Sequence, residues 1–263
     1  MFQLSQEQKI HHTLRVAVAM CFIGHGAFGI IIKPIWFNYF AVFGIGHDLA
    51  YRLMPWLGSF DIILGMLMLV FPTRIILIWL IFWGSLTALL RPLSGEPLAE
   101  LIERAGNFGA PLALLILAGS GGKQIKGWFT RINPNVEVKS ETMHKVIFCL
   151  RIVVFLLLFG HGWLNWIEKK SLLNQYSSLG FSNPFNTARA VGIFECIAAI
   201  SVIIRPFRSL LLVILIWKIG SELFYPQYKL FEWMERGGSY GAILALWLAL
   251  KSETKQQQVT LAR

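Results

Sequence analysis

Two histidines flanked by glycines, each followed by an acidic residue in the next apolar run, are the side chains best suited to chemistry. His25 lies in Ile-Gly-His-Gly and His161 in Phe-Gly-His-Gly, and the acids are Asp61 and Glu195. An imidazole beside a carboxylate suits proton transfer, because small changes of environment move a histidine through neutral pH. The sequence therefore predicts two catalytic pairs, His25 with Asp61 and His161 with Glu195.

The two histidines belong to an internal repeat that runs through the chain. Matched residues are separated by 136 positions at the histidines, by 134 at the acids and by 132 near the end of each half. Further matched pairs are Lys33 with Lys169, Gly58 with Gly192, Pro72 with Pro206, Arg74 with Arg208, Trp83 with Trp217, and Glu103-Arg104 with Glu235-Arg236. An ordered series with two small gaps indicates a duplicated unit, and a repeat has to be recognised before any helix is assigned.

The composition excludes a soluble globular protein. The 263 residues are 56% hydrophobic and 14% charged, whereas about 25% charged residues is usual in soluble domains. The net charge of +10 is spread between apolar runs, so it indicates membrane topology and argues against a nucleic-acid partner. The three cysteines lie inside apolar runs without paired spacing, which supports neither a disulfide framework nor a zinc site.

Eight apolar runs predict an all-α integral membrane protein with eight transmembrane helices. The runs cover residues 14–32, 58–73, 75–90, 105–119, 146–164, 190–204, 209–225 and 238–250. Four spans per repeat give both halves the same orientation, so two tandem four-helix repeats are expected about a pseudo-two-fold axis along the membrane normal. We expect the first repeat at residues 1–119, a cytoplasmic linker at 120–145 and the second repeat at 146–263.

Basic residues predict the orientation of these helices. The connector between the halves carries Lys123, Lys126, Arg131, Lys139 and Lys145. Because cytoplasmic loops are rich in Lys and Arg, both termini and the connector are expected in the cytoplasm, with the bacterial cytoplasmic (inner) membrane as the location and the lipid bilayer as a partner. On the other face, the segments 33–57 and 165–189 are predicted to form short interfacial helices.

A second group of polar residues is predicted nearer the outer face. Counting at about 1.5 Å per residue places both histidines and both acids roughly 15 to 16 Å from the cytoplasmic helix ends. The same counting gives a ligand-binding set in the outer half of the bundle: Thr87, Arg91, Glu103, Arg104, Asn107, Lys218, Glu222, Glu235 and Arg236. Ionisable groups at such depth are costly in hydrocarbon, so they are expected to face protein or water.

Packing roles compete with these functional interpretations. The glycines beside each histidine would let another helix approach closely, and each histidine would then only bond its neighbouring acid. Glu103-Arg104 and Glu235-Arg236 would cap helix ends or anchor them at the interface. A histidine–carboxylate pair that only joins two helices would leave the same pattern in the sequence.

Three departures from the repeat suggest where one asymmetric site would lie. Arg91 is matched by Tyr225, Ala88 by Glu222 and Gly84 by Lys218. Lys218 and Glu222 are four residues apart, on one face of a helix. These positions are expected to determine how a ligand is oriented.

Three motifs of the first half are Gly-His-Gly, Gly-Ser-Phe-Asp-Ile-Ile-Leu-Gly at residues 58–65 and Phe-Pro-Thr-Arg at 71–74, and the second half has Gly-Ile-Phe-Glu-Cys-Ile and Arg-Pro-Phe-Arg at matching places. In these motifs each half resembles the DoxX-like family of small four-helix membrane proteins. The resemblance implies a link, in some members, to quinone-dependent oxidation of small sulfur compounds and to membrane redox complexes. The chain departs from the family in its duplication and in the Glu-Arg-x-Gly segment of its fourth helix.

The leading hypothesis is a redox or quinone-linked membrane component, in which the histidine–carboxylate pairs exchange protons while a quinone or small substrate occupies an outer cavity. The sequence has no flavin, nicotinamide or iron–sulfur motif, so the electrons would come from a redox partner subunit, as part of a larger membrane complex, or from an intrinsically redox-active substrate. A quinone-linked oxidoreductase component is thus one expectation for the activity.

Three alternatives stay open at the level of sequence. The first is a transporter or receptor for a small anionic solute, bound by Arg91, Lys218 and the outer Glu–Arg pairs. The second is a haem or other tetrapyrrole ligated by His25 and His161; no other metal site is expected. The third is a structural subunit of a membrane complex.

Overall fold

The computed structural model describes residues 4–119, 124–135, 137–223 and 230–261. Within these ranges the chain is helical, and its only β-pairing is an isolated bridge between Thr73 and Arg131. The helices are α1 (Gln6–Ile30), α2 (Trp36–Ala41), α3 (His47–Val70), α4 (Arg74–Leu93), α5 (Ala99–Glu103), α6 (Ala105–Ala118), α7 (Lys126–Phe129), α8 (Ser140–Trp166), α9 (Lys170–Ser178), α10 (Pro184–Ile204), α11 (Arg208–Leu223), α12 (Leu230–Glu235) and α13 (Gly237–Leu261). The predicted all-α class is confirmed.

Six stretches of the described chain are long and apolar enough to cross a membrane. They are α1, α3, α4, α8, α10 and the stretch Ala99–Ala118, which joins α5 and α6. The chain is accordingly an integral membrane protein. The predicted apolar runs at 209–225 and 238–250 are occupied by α11 and α13, which are not among the six, and residues 224–229 lie outside the described residues.

Side-chain caps account for where several of these helices begin. Ser5 accepts a hydrogen bond from the backbone of Gln8, whose side chain accepts one from Ser5 in return, which completes a capping box for α1. Thr73 caps α4 through the backbone of Ile76, and Asn183 caps α10. Each of these caps gives a partner to a backbone donor that would otherwise be free at the start of a helix.

The predicted boundary of the second span is wrong by a wide margin. The segment 33–57 was expected to form a short interfacial helix, but it contains α2 and also the first eleven residues of α3, which begins at His47. Hydropathy misses these residues because they include polar and aromatic side chains and Pro55, which lies inside the helix. In the second half, α9 fits the expected short helix, although α10 likewise begins earlier than predicted, at Pro184.

Four helices form the centre of the molecule. α6 packs against α13, and each of these two also packs against α1 and α8, so that α1 and α8 lie on opposite sides of the α6–α13 contact. The remaining long helices pack on the outside, with α3 on α1, α10 on α8, α4 on α6 and α11 on α13. The centre is lined by fully buried apolar residues such as Leu14, Leu114, Leu150 and Leu246.

Glycines allow the closest helix contacts, as the packing interpretation of Gly-His-Gly requires. Gly26 meets the carbonyl of Gly58 between α1 and α3, and Gly162 meets the carbonyl of Gly192 between α8 and α10. In these places a side chain would collide with the backbone of the neighbouring helix. The glycine after each histidine therefore brings the helix that carries the acid next to the helix that carries the histidine.

The glycine before each histidine makes a contact between the two halves of the chain. Gly24 lies against the backbone of Glu235, and Gly160 lies against the backbone of Glu103. Each half thus places the start of its last helical segment beside the histidine of the other half. Backbone contacts of Gly24 and Gly160 thus join the predicted units 1–119 and 146–263 directly.

The connector between the halves is attached to the bundle where the structure describes it. The guanidinium of Arg74 donates to the carbonyls of Ala118, Gly119 and Gly127, at 2.8, 2.8 and 3.1 Å. The start of α4 and the end of α6 are thereby held together on one side of the molecule. Residues 120–123 and 136 of the predicted linker lie outside the described residues.

The glycine contacts give a prediction for stability. Gly160→Ala should lower the free energy of unfolding by about 1 to 3 kcal/mol, because the new Cβ would meet the backbone of Glu103, with its Cα 2.8 Å away. Gly220→Ala in α11 is the control, since no atom lies within 4 Å of a Cβ there, and it should gain up to about 1 kcal/mol from helix propensity. Thermal unfolding in mild detergent measures both, and equal effects would contradict the packing argument.

Candidate functional site

The first histidine and acid are in direct contact. His25 Nδ1 lies 2.7 Å from Asp61 Oδ2, and the Asp61 side chain is 1% exposed while that of His25 is 13% exposed. An ionised carboxylate only accepts hydrogen bonds, so the ring donates from Nδ1 and leaves Nε2 for another partner. The indole ring of Trp36 lies against the imidazole, with ring centroids 4.7 Å apart. His25 is therefore oriented by two neighbours and still reaches open space.

The second histidine and acid are also hydrogen-bonded, but they are more enclosed. His161 Nδ1 bonds Glu195 Oε2, and both side chains are less than a tenth exposed. Asn165 donates to the backbone carbonyl of His161 at 3.0 Å and accepts a 2.7 Å hydrogen bond from the hydroxyl of Tyr176. The polar groups around His161 are thus occupied by side chains of the chain itself.

A cavity of about 260 Å³ opens beside His25. Its walls are mainly apolar and aromatic, formed by Trp36, Tyr39, Phe40, Phe43, Ile45, Leu53, Leu57, Trp83 and Leu90. Five of the nine predicted ligand-binding residues complete the lining, namely Thr87, Arg91, Arg104, Asn107 and Glu235. The structure therefore brings one predicted histidine and most of the predicted polar set of its half to a single space.

The other four predicted residues lie in a buried ion-pair network. Lys218 Nζ is 3.3 Å from Glu222 Oε1 and 3.7 Å from Glu195 Oε1. Glu222 Oε2 lies 2.6 Å from Arg236 Nε in an ion pair, and Arg236 donates to Glu103 Oε1 at 2.8 Å. The i,i+4 pair of Lys218 and Glu222 expected from the sequence is therefore present, within a larger set of contacts.

The network continues across the molecule to the cavity. Arg104 donates to Glu103 at 3.1 Å and to Glu100 at 2.5 Å. Arg91 lies 3.5 Å from Glu100 and 3.0 Å from Glu96. Glu96 also accepts a 2.5 Å hydrogen bond from the hydroxyl of Tyr39. Charged side chains thus connect the Glu195 carboxylate with the wall of the His25 cavity.

The phenol of Tyr39, on the short helix α2, acts as a donor at the end of this network. Burial raises the pKa of Tyr39 above its ordinary value, and the hydrogen bond to Glu96 acts in the same direction, against the opposing effect of Arg91. The hydroxyl group therefore stays protonated at neutral pH and donates to the Glu96 carboxylate.

Glu103 and Arg104 make no side-chain capping hydrogen bond, and their dipole and interface-anchoring roles stay predictions. The two residues do lie where α5 ends and α6 begins, but neither helix start has a side-chain cap hydrogen bond. Glu103 is 7% exposed and bonds Arg236 of the other half. The need to neutralise buried charge decides the position of these side chains, because an unpaired ion inside a membrane protein is costly.

Glu235 differs from its repeat partner Glu103. Among the described residues, its carboxylate makes no hydrogen bond and no ion pair within 4.0 Å, and it lines the cavity with His25. Glu103, in contrast, is held by two guanidinium groups. Glu235 is thus a carboxylate of the cavity wall that remains available to a ligand.

Sequence reasoning missed Glu100, which is fully buried and also bonds Lys169. The repeat carried the signal, because the separation of 132 aligns Glu100 with Glu232. The corresponding contact exists in the other half, where Lys33 Nζ lies 3.4 Å from Glu232 Oε1. In both cases a lysine of one half bonds a glutamate of the other.

The arrangement counts against a haem shared by His25 and His161. Two axial ligands have to point at one iron from opposite sides of the ring. His25 instead faces Asp61 on α3, and His161 faces Glu195 on α10, while α6 and α13 lie between α1 and α8.

Comparisons of the chain with known protein families, with characterised proteins and with solved structures find no match. Function has to be inferred from the geometry of the cavity and the network.

The buried network gives a prediction with a matched control. Glu222→Gln should cost about 3 kcal/mol of unfolding free energy, since it removes the charge that faces both Lys218 and Arg236. Glu168→Gln makes the same change in a pair with Arg189, whose side chain is 59% exposed, and should cost less than about 1 kcal/mol. Thermal unfolding compares the two; a smaller loss for Glu222→Gln would show that the network is not stabilising.

Proposed function

We propose that the cavity beside His25 binds a quinone within the membrane and that His25 and Asp61 exchange protons with it. The protein would then be a quinone-linked component of membrane redox metabolism. One observation carries the proposal: a histidine, hydrogen-bonded to a buried carboxylate, lines a mainly aromatic cavity that also carries two guanidinium groups.

The size and lining of the cavity suit a flat, largely apolar molecule. Its volume of about 260 Å³ lies just below the roughly 300 to 1,000 Å³ of small-molecule sites, which fits a single-ring quinone head group. Trp36, Phe40 and Trp83 offer aromatic surface for the ring. Arg91 and Arg104 offer donors for its carbonyl oxygens.

The position of the cavity suits a ligand that arrives from the bilayer. α3 and α4 follow each other in the chain, but α3 packs on α1 and α4 packs on α6. The cavity takes its lining from both of these outer helices, with Leu57 from α3 and Leu90 from α4. Phe43, at its margin, is 57% exposed. A lipid-soluble ligand would enter between the two outer helices without crossing water.

Reduction of a quinone to a quinol takes two electrons and two protons. In the proposed reaction the electrons come from a redox partner subunit of a membrane complex. His25 gives both protons in turn through Nε2, taking up a proton from water between the two transfers, and Asp61 stabilises the imidazolium and keeps the ring oriented throughout. Glu235 is placed to accept a hydrogen bond from a quinol hydroxyl group. The oxidation of a quinol follows the same steps in reverse.

A site for a small anion is less well supported by the same contacts. Arg91, Arg104, Lys218 and Arg236 are each paired with at least one carboxylate. An anion would have to displace these partners, which would leave the displaced carboxylates unpaired inside the protein. Within the described part of the chain, the charged group of the cavity wall that has no ion pair within 4.0 Å is an acid, Glu235.

The proposal extends to the architecture. We propose eight spans in two four-helix repeats of the DoxX-like type, with α11 and α13 as the seventh and eighth spans. The support is that contacts recur at matched positions: Gly24 with Glu235 and Gly160 with Glu103, or Gly26 with Gly58 and Gly162 with Gly192. Both termini would lie in the cytoplasm of a bacterial cell, with the connector.

Ligand binding tests the function directly. His25→Ala should weaken binding of a short-chain benzoquinone roughly 10- to 100-fold, the equivalent of one hydrogen bond to a charged group, while the matched change His161→Ala should alter it less than about twofold. Quenching of tryptophan fluorescence reports binding, because Trp36 and Trp83 line the cavity. Equal losses in the two variants, or no saturable binding to the unaltered protein, would refute the proposal.

Topology is tested separately, by single cysteines in a variant without the native three. Thr130→Cys in the connector and a cysteine appended to the C-terminus should react with a membrane-impermeant maleimide only after the bacterial membrane is permeabilised from the outside. Leu179→Cys, after α9 on the opposite face, should react in intact spheroplasts. Reaction of the connector cysteine in intact spheroplasts would invert the proposed orientation.

A further inference from the structure

The two histidine–carboxylate pairs differ in what lies next to the acid. In the second half, Lys218 is 3% exposed and its ammonium lies between Glu195 and Glu222, at 3.7 and 3.3 Å. In the first half, the repeat alignment with a separation of 134 places Gly84 at the position of Lys218 and Ala88 at the position of Glu222. The first half has neither the lysine nor its second carboxylate, and it has the open cavity beside the histidine.

The surroundings of Lys218 have the features of an occupied ammonium site. Glu195 is fully buried; its Oε2 bonds His161, while its Oε1 makes no hydrogen bond to a described residue and has the Lys218 ammonium as its nearby cation. Glu222 is 7% exposed and is held on its other oxygen by Arg236. Two fixed carboxylates in a space with little access to water form a strong partner for one primary ammonium group.

We infer that the second histidine–carboxylate site is a binding site for a primary ammonium group, filled permanently by the chain's own Lys218. The duplicated chain then has one site that is open to a ligand, at His25, and one site, at His161, that its own Lys218 occupies. The ammonium site does not depend on the nature of the ligand at His25. The conclusion that one quinone binds per chain does rest on the proposed function.

Chemical replacement of the lysine side chain tests the inference. Lys218→Ala removes the three methylene groups and the ammonium beyond Cβ, which together correspond to n-propylammonium. The variant should melt about 6 to 15 °C below the unaltered protein, because two buried carboxylates lose the ammonium that lies between them. Added n-propylammonium chloride should restore much of this loss in a saturable way, since a ligand that binds only the folded state stabilises it.

Two controls separate a site from a general salt effect. Tetramethylammonium chloride at the same ionic strength should give no saturable gain, because it has no N–H donors. Lys145→Ala removes the lysine of an i,i+4 pair with Glu141 in which both side chains are more than 60% exposed, and it should respond to neither salt. A folded Lys218→Ala protein that gains no more from n-propylammonium than from tetramethylammonium would overturn the inference.

A second variant keeps the test decisive if Lys218→Ala does not fold. Lys218→Met retains the length of the side chain without its charge, and it should melt well below the unaltered protein and show no response to n-propylammonium. If it is as stable as the unaltered protein, the ammonium contributes nothing and the inference fails.

The count of bound quinone distinguishes this inference from the proposed function. One quinone per unaltered chain agrees with both. Two per chain, with one lost in His161→Ala, would show that the second site is open and would overturn the inference alone. If no quinone binds while n-propylammonium still rescues Lys218→Ala, the proposed function fails and the ammonium site stands.

Discussion

The close approach of backbones at the glycines beside each histidine is the constraint on which the rest of the structure depends. Gly26 lets α3 come near enough for Asp61 to reach His25, and Gly24 lets the end of α12 come near enough for Glu235 to share its cavity. In lipid there is little hydrophobic gain from bringing apolar helices together, so small residues that allow dense packing have to define where helices meet. The chemistry of the cavity follows from that geometry.

Once the helices meet in this way, the buried charges of the network from Glu195 to Arg91 have to balance within the protein. The network from Glu195 to Arg91 does so through alternating acids and bases, and it ends at the cavity. Guanidinium groups keep their protons at all ordinary pH values, so the network is not a path for protons. Its effect is to hold Arg91 and Arg104 in fixed positions, as a preorganised site requires.

The sequence was sufficient to predict the features that depend on its apolar runs and on its internal repeat. The helical class followed from apolar runs, and the contacts of His25 with Asp61 and of His161 with Glu195 agree with the repeat alignment. The early start of α3 and the roles of Glu100 and Glu96 were not predicted, because hydropathy does not register amphipathic helix ends or the partner of a buried cation. The contact of Lys218 with Glu195 was not predicted, because a repeat alignment gives no distances between helices.

Lys33 and Lys169 each bond a glutamate from the opposite half, so neither half contains both partners of its own bond. The backbone contacts at Gly24 and Gly160 cross over in the same sense. Reciprocal contacts, in which each unit supplies one partner of every bond, are typical of the interface between the two subunits of a dimer. The peptide connection between α6 and α8 therefore joins two bodies that are already interlocked, and two separately synthesised polypeptides, divided there, would have the surfaces needed to find each other in the membrane and assemble as partners.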